Sequence, residues 1–129
     1  MKKLIAVLLV SVFALSACGG SSETVTSLSV NEFAQKIADP SITLLDVRTP
    51  AEFASGHIAG AINIDFESGV FKQEVQALDK TKTYALYCRS GNRSGQATSI
   101  MAKDGFASVF NLGGGVIDWA ALGQPLVTK

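Results

Sequence analysis

The sequence contains few of the residues that build metal sites, and it has no excess of basic charge. Its 129 residues include two cysteines, Cys18 and Cys88, and one histidine, His57. This set is too small for a tetrahedral zinc site, so we expect no bound metal and no other cofactor. Eleven basic residues are balanced by eleven acidic ones, and such a balance argues against nucleic acid as a partner.

The sequence also lacks an apolar stretch that is long enough to span a membrane as a helix. Its most apolar segment, residues 4–15, follows Lys2 and Lys3 and is shorter than the ~20 residues that a membrane-spanning helix needs. A basic start followed by a short apolar segment is typical of a secretory signal peptide. Residues 1–17 are therefore predicted to be removed from the mature protein.

The end of this segment, Leu15-Ser16-Ala17-Cys18, resembles the lipobox of bacterial lipoproteins. The resemblance implies cleavage before Cys18, lipid attachment there, and a lipid-anchored envelope protein that faces the periplasm. An ordinary signal peptide followed by an unrelated cysteine is the alternative, and the choice between inner and outer membrane stays open. Residues 18–26 are predicted to form a lipidated flexible tether, and residues 27–129 a single domain.

Lipid attachment at Cys18 leaves Cys88 without a disulfide partner in the chain. A free thiol outside the cytoplasm requires an explanation, because structural cysteines there are usually paired. Removal of Lys2 and Lys3 leaves nine basic and eleven acidic residues, a net charge of −2. The membrane contact is therefore expected to depend on lipid and not on basic residues.

Apolar, strand-like segments alternate with helical patterns along the predicted domain. Strands are predicted over residues 42–47, 61–64, 83–87 and 107–112. Capping boxes at Ser29 and Thr49 mark the first two helices, the second of which is predicted to end at a left-handed cap at Gly56. Further helices are predicted over residues 70–78, 94–103 and 115–121. Such alternation predicts a parallel sheet covered on both faces, with ligand sites beyond the carboxyl ends of its strands.

The sequence C-R-S-G-N-R-S at residues 88–94 places a cysteine directly after a predicted strand and before a predicted helix. Gly91 permits a tight turn whose backbone amides can form an anion-binding nest. The helix N-terminus and the charges of Arg89 and Arg93 also favour a thiolate. We therefore expect Cys88 to be a nucleophile. A buried structural cysteine is the alternative, and the polar neighbours argue against it.

Three motifs together are similar to those of the rhodanese-like domain family. They are the loop at residues 88–94, the sequence D-V-R-T-P-A-E-F-A-S-G-H-I-A-G-A-I-N-I at 46–64, and Gly113-Gly114 with W-A-A-L-G-Q-P at 119–125. The resemblance covers residues 27–129 and implies an α/β fold, a five-stranded parallel sheet with helices on both faces. It also implies a sulfurtransferase, which we expect to be a monomer. Its catalytic Cys88 would take sulfur from thiosulfate or a similar donor and pass it, as a persulfide, to cyanide, a thiol or a protein cysteine.

The resemblance also suggests roles for the residues around Cys88. Arg89 and Arg93 would bind the anionic end of the donor and lower the pKa of the cysteine. The other substrate-binding residues of the loop would contribute mainly backbone amides: Ser90, Gly91, Asn92 and Ser94. Asp46 and Arg48 would support the loop as a pair at a strand end, and His57 is expected to anchor a turn.

Two other interpretations stay open, a phosphatase or arsenate reductase on the same fold and a non-catalytic binding module. Four residues separate Cys88 from Arg93, one fewer than in the loop of the tyrosine-phosphatase type. The shorter loop favours a sulfane sulfur over a tetrahedral phosphate or arsenate. Binding modules of the family often lack the cysteine, which this chain keeps.

Overall fold

The computed structural model describes residues 25–129. The predicted signal peptide and the predicted lipid attachment at Cys18 lie outside them. Strands and helices alternate in the order β1 Val25–Leu28, α1 Val30–Ile37, β2 Thr43–Asp46, α2 Pro50–Ser55, β3 Ile62–Asn63, α3 Phe71–Gln76, β4 Thr83–Tyr87, α4 Asn92–Lys103, β5 Ser108–Leu112 and α5 Gly115–Ala121. The strands form one sheet in the order β1-β5-β4-β2-β3, and every neighbouring pair is parallel. The predicted five-stranded α/β fold is confirmed.

Two apolar cores lie on the two faces of the sheet. In the middle strand β4, Leu86 belongs to one core and Ala85 and Tyr87 to the other, because successive side chains of a strand point to opposite faces. Helices α3 and α4 complete the first core and α1 and α5 the second. Their buried contributions are, in the first, Phe71, Val75, Ala97 and Met101, and in the second, Val30, Phe33, Val116 and Trp119. Helices therefore cover both faces, and the side chain of Cys88 lies on the α4 side.

The first of the five strands was not among the four that local sequence patterns predicted. It begins inside the segment that was predicted to be a tether. Val25–Leu28 pairs with the last strand in the register Val25 to Val109 and Leu28 to Leu112. The strand lies at the sheet edge, and its two central residues are polar and exposed. Its position depends on backbone pairing with residues far along the chain, which a local pattern does not show.

Capping signals place the starts of α1 and α2. The Ser29 hydroxyl accepts a hydrogen bond from the Glu32 amide (3.3 Å), and the Glu32 carboxylate accepts one from the Ser29 amide (2.9 Å), which completes the predicted capping box. The Thr49 hydroxyl likewise accepts from the Glu52 amide (3.3 Å), but the Glu52 carboxylate accepts from the Thr49 hydroxyl (3.2 Å) and not from its amide. Gly56 ends α2 at φ 152° and ψ 130°, which is not the left-handed helical cap that was predicted.

Several element boundaries differ from those predicted. The strand predicted over residues 61–64 is reduced to Ile62–Asn63, and the helix predicted over 70–78 spans Phe71–Gln76. The helix after Cys88 begins at Asn92, two residues earlier than expected. Within residues 25–129, no helix has the length and apolar character needed to cross a membrane.

Candidate active site

Cys88 lies at the carboxyl end of β4, where parallel sheets of this kind form their ligand sites. Its side chain is only 1% exposed, and α4 begins at Asn92 after a short loop. The carbonyl groups of Cys88 and Arg89 accept hydrogen bonds from the amides of Val116 (2.9 Å) and Ile117 (3.1 Å), in the first turn of α5. The loop is therefore held between the N-terminal ends of two helices.

Glycines allow the backbone of this loop to pack closely against the turn before α5. Gly91 has φ 95° and Gly115 has φ 62°, values that side chains other than glycine rarely adopt. A Cβ atom at Gly91 would collide with the carbonyl oxygen of Gly113. A Cβ atom at Gly115 would collide with the backbone of Arg89 and Ser90. The two glycine-containing segments therefore fix each other's path.

The thiol of Cys88 receives hydrogen bonds from inside this loop. Its Sγ accepts from the Gly91 amide (3.1 Å) and from the Ser94 hydroxyl (3.3 Å). Burial raises the pKa of the thiol, but the Ser94 hydroxyl and the amides of Ser94, Ser90 and Gly91 together outweigh burial, so the pKa of Cys88 is lowered. The Ser94 side chain makes the largest of these favourable contributions, although this residue was expected to contribute mainly its amide.

Removal of the Ser94 hydroxyl is expected to raise the pKa of Cys88, because the thiolate loses a donor that the neutral thiol needs less. In Ser94→Ala, the midpoint of a plot of iodoacetamide alkylation rate against pH should move to higher pH. Ser99→Ala, at an exposed position of the same helix, is the matched control and should leave the midpoint in place. An unchanged midpoint in Ser94→Ala would show that the hydroxyl does not stabilise the thiolate.

The two arginines of the loop have different surroundings. Arg89 is exposed, whereas the Arg93 guanidinium forms two hydrogen bonds to Glu52 (2.8 and 2.9 Å) and lies 3.4 Å from the Glu67 carboxylate. The Glu52 hydrogen bond is the main cause that raises the pKa of Arg93, and the charges of Cys88 and Glu67 add to it. Arg93 thus favours the thiolate at a distance. Its guanidinium is paired with two carboxylates, which the sequence did not predict. The expected contact of Arg93 with a donor anion stays a prediction.

The same ion pair predicts a dependence of stability on acid. The hydrogen bond from Arg93 lowers the pKa of Glu52 from 4.5 to about 2. A carboxyl group with a lowered folded pKa stabilises the fold above its unfolded pKa, and this contribution is lost as the pH falls from 4.5 towards about 2. Glu52→Gln should therefore lower the Tm at pH 7, and its difference from wild type should shrink near pH 2.

Thermal denaturation at the two pH values measures this difference. Glu74→Gln is the matched control, because Glu74 is exposed on α3, and it should show little change at either pH. A Glu52→Gln difference in Tm that is equally large at both pH values would contradict a role for the ionised pair.

Asp46 and Arg48 form a buried ion pair at the carboxyl end of β2, the strand beside β4. Arg48 Nη2 donates to Asp46 Oδ2 (2.7 Å) and Arg48 Nε to Asp46 Oδ1 (3.0 Å), and the residues are 0% and 4% exposed. Arg48 Nη2 also donates to the Gly56 carbonyl (2.7 Å), and the guanidinium lies 5.6 Å from the centre of the Tyr87 ring. The pair thus joins the end of α2 to Tyr87, the residue that precedes Cys88. Its support of the loop stays a prediction.

His57 makes its hydrogen bonds with the backbone. Its Nδ1 donates to the Phe53 carbonyl (2.9 Å), and its ring stacks on that of Phe53 at 3.7 Å. Its amide and carbonyl both bond to Val127, each at 2.8 Å, and hold the C-terminal segment against α2. These contacts give His57 the anchoring position that the sequence suggested. Among residues 25–129, no three metal-ligating side chains come together to hold an ion.

The remaining loop residues lie at the protein surface. Ser90 and Asn92 are exposed, and the Asn92 side chain accepts a hydrogen bond from Gln96 Nε2 (2.6 Å). Asn111 of β5, which no sequence pattern singled out, lies behind the loop. It is buried, and its Nδ2 donates to the Gly91 carbonyl at 3.4 Å. Asn111 therefore helps to hold the turn that carries the Gly91 amide.

Comparison with known proteins identifies the family. The family model for the rhodanese-like domain matches residues 29–122 of this chain. A sulfurtransferase of Allochromatium vinosum is 36% identical over 104 residues, which cover 80% of this chain and 95% of that protein. The chain therefore belongs to the rhodanese-like domain family and has sulfurtransferase relatives.

Other relatives cover different shares of their own length. The thiosulfate sulfurtransferase PspE of Escherichia coli is 37% identical over 70 residues, 54% of this chain and 67% of PspE. A tRNA uridine(34) hydroxylase of Legionella pneumophila is 37% identical over 103 residues, 77% of this chain but only 41% of the hydroxylase. This chain covers 53% to 59% of the length of three further bacterial relatives.

A solved structure supports the same assignment. The crystal structure of a rhodanese-related protein from Thermoplasma volcanium matches with a TM-score of 0.71 and 32% identity, over 81% of this chain and 99% of that one.

Proposed function

We propose that this protein is a sulfurtransferase of the thiosulfate type, which moves sulfane sulfur to a thiophilic acceptor through a persulfide on Cys88. The observation that carries the proposal is the buried Cys88 Sγ, with the Gly91 amide and the Ser94 hydroxyl both directed at it. Donors in this position stabilise an anionic sulfur. The sulfurtransferase relatives, PspE among them, support the same chemistry.

In the proposed first half-reaction, the Cys88 thiolate attacks the outer sulfur of thiosulfate. The bond between the two sulfur atoms of thiosulfate breaks, sulfite leaves with the electron pair, and Cys88 keeps a persulfide. The loop amides and the Ser94 hydroxyl would hold the negative charge that passes to the outer sulfur, while exposed Arg89 would meet the anionic end of the donor. In the second half-reaction, cyanide, a thiol or a protein cysteine attacks the outer sulfur, and the Cys88 thiolate leaves.

A steady-state assay of thiocyanate formation from thiosulfate and cyanide tests this function. The purified protein should form thiocyanate, and it should neither hydrolyse p-nitrophenyl phosphate nor reduce arsenate at a comparable rate. Phosphatase or arsenate reductase activity without thiocyanate formation would replace the proposal with an oxyanion enzyme. The absence of all three activities would favour a non-catalytic binding module.

We also propose that the protein is anchored by lipid at Cys18 and faces the periplasm. Support comes from the lipobox-like residues 15–18 behind a basic and then apolar start, and from the Gly-Gly-Ser-Ser sequence that follows. Attached acyl chains provide stable membrane binding when more than one is present. Such an anchor would hold the domain, with its free Cys88 thiol, at the membrane surface.

Cys18→Ser is expected to abolish lipid attachment, because a hydroxyl does not replace the sulfur that carries the lipid. Metabolic labelling with a fatty acid and fractionation of cells into membrane and soluble fractions measure the effect, which should be a complete loss of label and of the pelleted protein. Cys88→Ser, the matched control, should keep both. Continued labelling of Cys18→Ser would show that the lipobox interpretation is wrong.

A further inference from the structure

Four charged side chains lie around the Cys88 loop, two positive and two negative. Arg89 and Arg93 belong to the loop and the first turn of α4, Glu52 to α2, and Glu67 to the segment after β3. Arg93 is 19% exposed and contacts both carboxylates. Among residues 25–129, Arg89 is the arginine of the loop that has no carboxylate within ion-pair distance.

The backbone that carries each of these glutamates is held in place by neighbouring residues. The Glu52 amide is capped by the Thr49 hydroxyl. The Glu67 amide donates to the Asp65 carboxylate (2.8 Å), and the Phe66 amide donates to the Val47 carbonyl (3.1 Å). The segment that carries Glu67 is thus tied to the end of β2. The backbone positions from which both glutamates reach Arg93 are therefore fixed by the fold.

We infer that Glu52 and Glu67 set the charge preference of the site: they weaken its attraction for a dianionic donor such as thiosulfate more than its attraction for a donor with one negative charge. The inference rests on the proposed sulfur transfer. Two glutamates cancel the charge of the two arginines, so a dianion gains little net attraction and its second charge is repelled by the nearby carboxylates. Thiosulfate is a dianion, whereas an alkanethiosulfonate such as methanethiosulfonate carries a single negative charge. Glu67, at the outer side of Arg93 and 58% exposed, is the most accessible determinant.

The reaction is the same for both classes of donor, so their comparison isolates charge. In methanethiosulfonate, a methyl group replaces one charged oxygen of thiosulfate. The Cys88 thiolate attacks the outer sulfur of either donor, and the bond between the two sulfur atoms breaks. The electron pair leaves with sulfite from thiosulfate or with methanesulfinate from methanethiosulfonate. Each donor leaves the same persulfide, and neither step needs an oxidant or a reductant.

Steady-state kinetics with both donors test the inference in Glu67→Gln. Removal of one negative charge near the site should lower the KM for thiosulfate about threefold at low ionic strength, with a smaller change for methanethiosulfonate and little change in kcat. Glu74→Gln changes the net charge by the same amount on α3 and should leave both KM values unchanged. Equal changes for the two donors, or the same change in Glu74→Gln, would overturn the inference.

A second measurement does not depend on sulfur transfer. Alkylation of Cys88 by iodoacetate, an anion, is compared with alkylation by neutral iodoacetamide, and the ratio of their rate constants should rise about twofold in Glu67→Gln. If the wild-type protein takes sulfur from neither donor, the proposed function fails, and this ratio still decides the charge preference. A ratio that is the same in wild type and Glu67→Gln would overturn it.

Discussion

Cys88→Ser is expected to abolish thiocyanate formation from thiosulfate while the domain remains folded. A serine hydroxyl is a far weaker nucleophile than a thiolate and forms no persulfide. The smaller oxygen can still accept from the Gly91 amide and exchange a hydrogen bond with Ser94, the two groups that contact the sulfur. No buried donor at the site is therefore left without an acceptor, and the Tm should change by only a few degrees.

A matched control tests whether a thiol must lie at residue 88 or whether a thiol elsewhere in the domain is sufficient. The double variant with Cys88→Ser and Ser99→Cys carries one thiol in the domain, at an exposed position of α4. It should be as inactive as Cys88→Ser alone, because the second position lacks the loop amides. Measurable turnover in Cys88→Ser would contradict the assignment of Cys88 as nucleophile. Turnover in the double variant alone would show that an exposed thiol suffices.

Gly91→Ala is expected to cause the largest loss of stability among single substitutions in the loop. Gly91 has φ 95°, and a Cβ atom there would collide with the carbonyl oxygen of Gly113, a backbone atom that cannot rotate away. Strain and collision together should lower the free energy of unfolding by more than ~3 kcal/mol. Displacement of the Gly91 amide from Sγ should also slow sulfur transfer by the protein that remains folded. Chemical denaturation and the thiocyanate assay measure the two effects.

Gly69→Ala distinguishes collision from backbone strain. Gly69 has φ 84°, close to the value of Gly91, but no atom lies within 4 Å of the position that its Cβ would take. Its substitution should therefore cost only the ~1–2 kcal/mol of a left-handed residue and should leave turnover unchanged. Equal losses of stability in the two variants would show that the contact between Gly91 and Gly113 contributes nothing.

The reactive segment could be predicted from the sequence because its signals are local. An apolar strand, a cysteine, a glycine and a helix start follow one another within residues 83–103, and they produce β4, the loop and α4 in that order. The alternation of strands and helices similarly predicted a parallel sheet with two covered faces. The pairing of Asp46 with Arg48 was also predictable, since the two residues lie at one strand end.

The features that escaped prediction depend on contacts between distant parts of the chain. The strand Val25–Leu28 exists through its pairing with residues 109–112. Glu52 is 41 positions away from Arg93 in the sequence, so the loop sequence alone did not show that this arginine is paired with a carboxylate. The Ser94 hydroxyl was overlooked for another reason. The sequence pattern placed the start of α4 at Ser94, but the helix begins at Asn92. Ser94 therefore lies inside the first turn, where its side chain is directed at Cys88.

The short loop and the charge balance around it both disfavour phosphate and arsenate. Four residues between Cys88 and Arg93 are expected to give a narrow cradle, and the carboxylates of Glu52 and Glu67 lower the positive charge beside it. The narrow cradle disfavours a tetrahedral group bound inside the loop, such as phosphate or arsenate, and favours a single anionic sulfur that is held by backbone amides. The carboxylates lower the attraction of the site for any dianion, thiosulfate included.

The mass of the intact protein after exposure to thiosulfate tests the persulfide on Cys88 most directly. Wild-type protein and Cys88→Ser are each incubated with thiosulfate, freed of excess donor and analysed by mass spectrometry before and after addition of cyanide. We expect the wild-type protein to gain the mass of one sulfur atom and to lose it to cyanide, and Cys88→Ser to gain nothing. An unchanged wild-type mass, or the same gain in Cys88→Ser, would contradict sulfur transfer through Cys88.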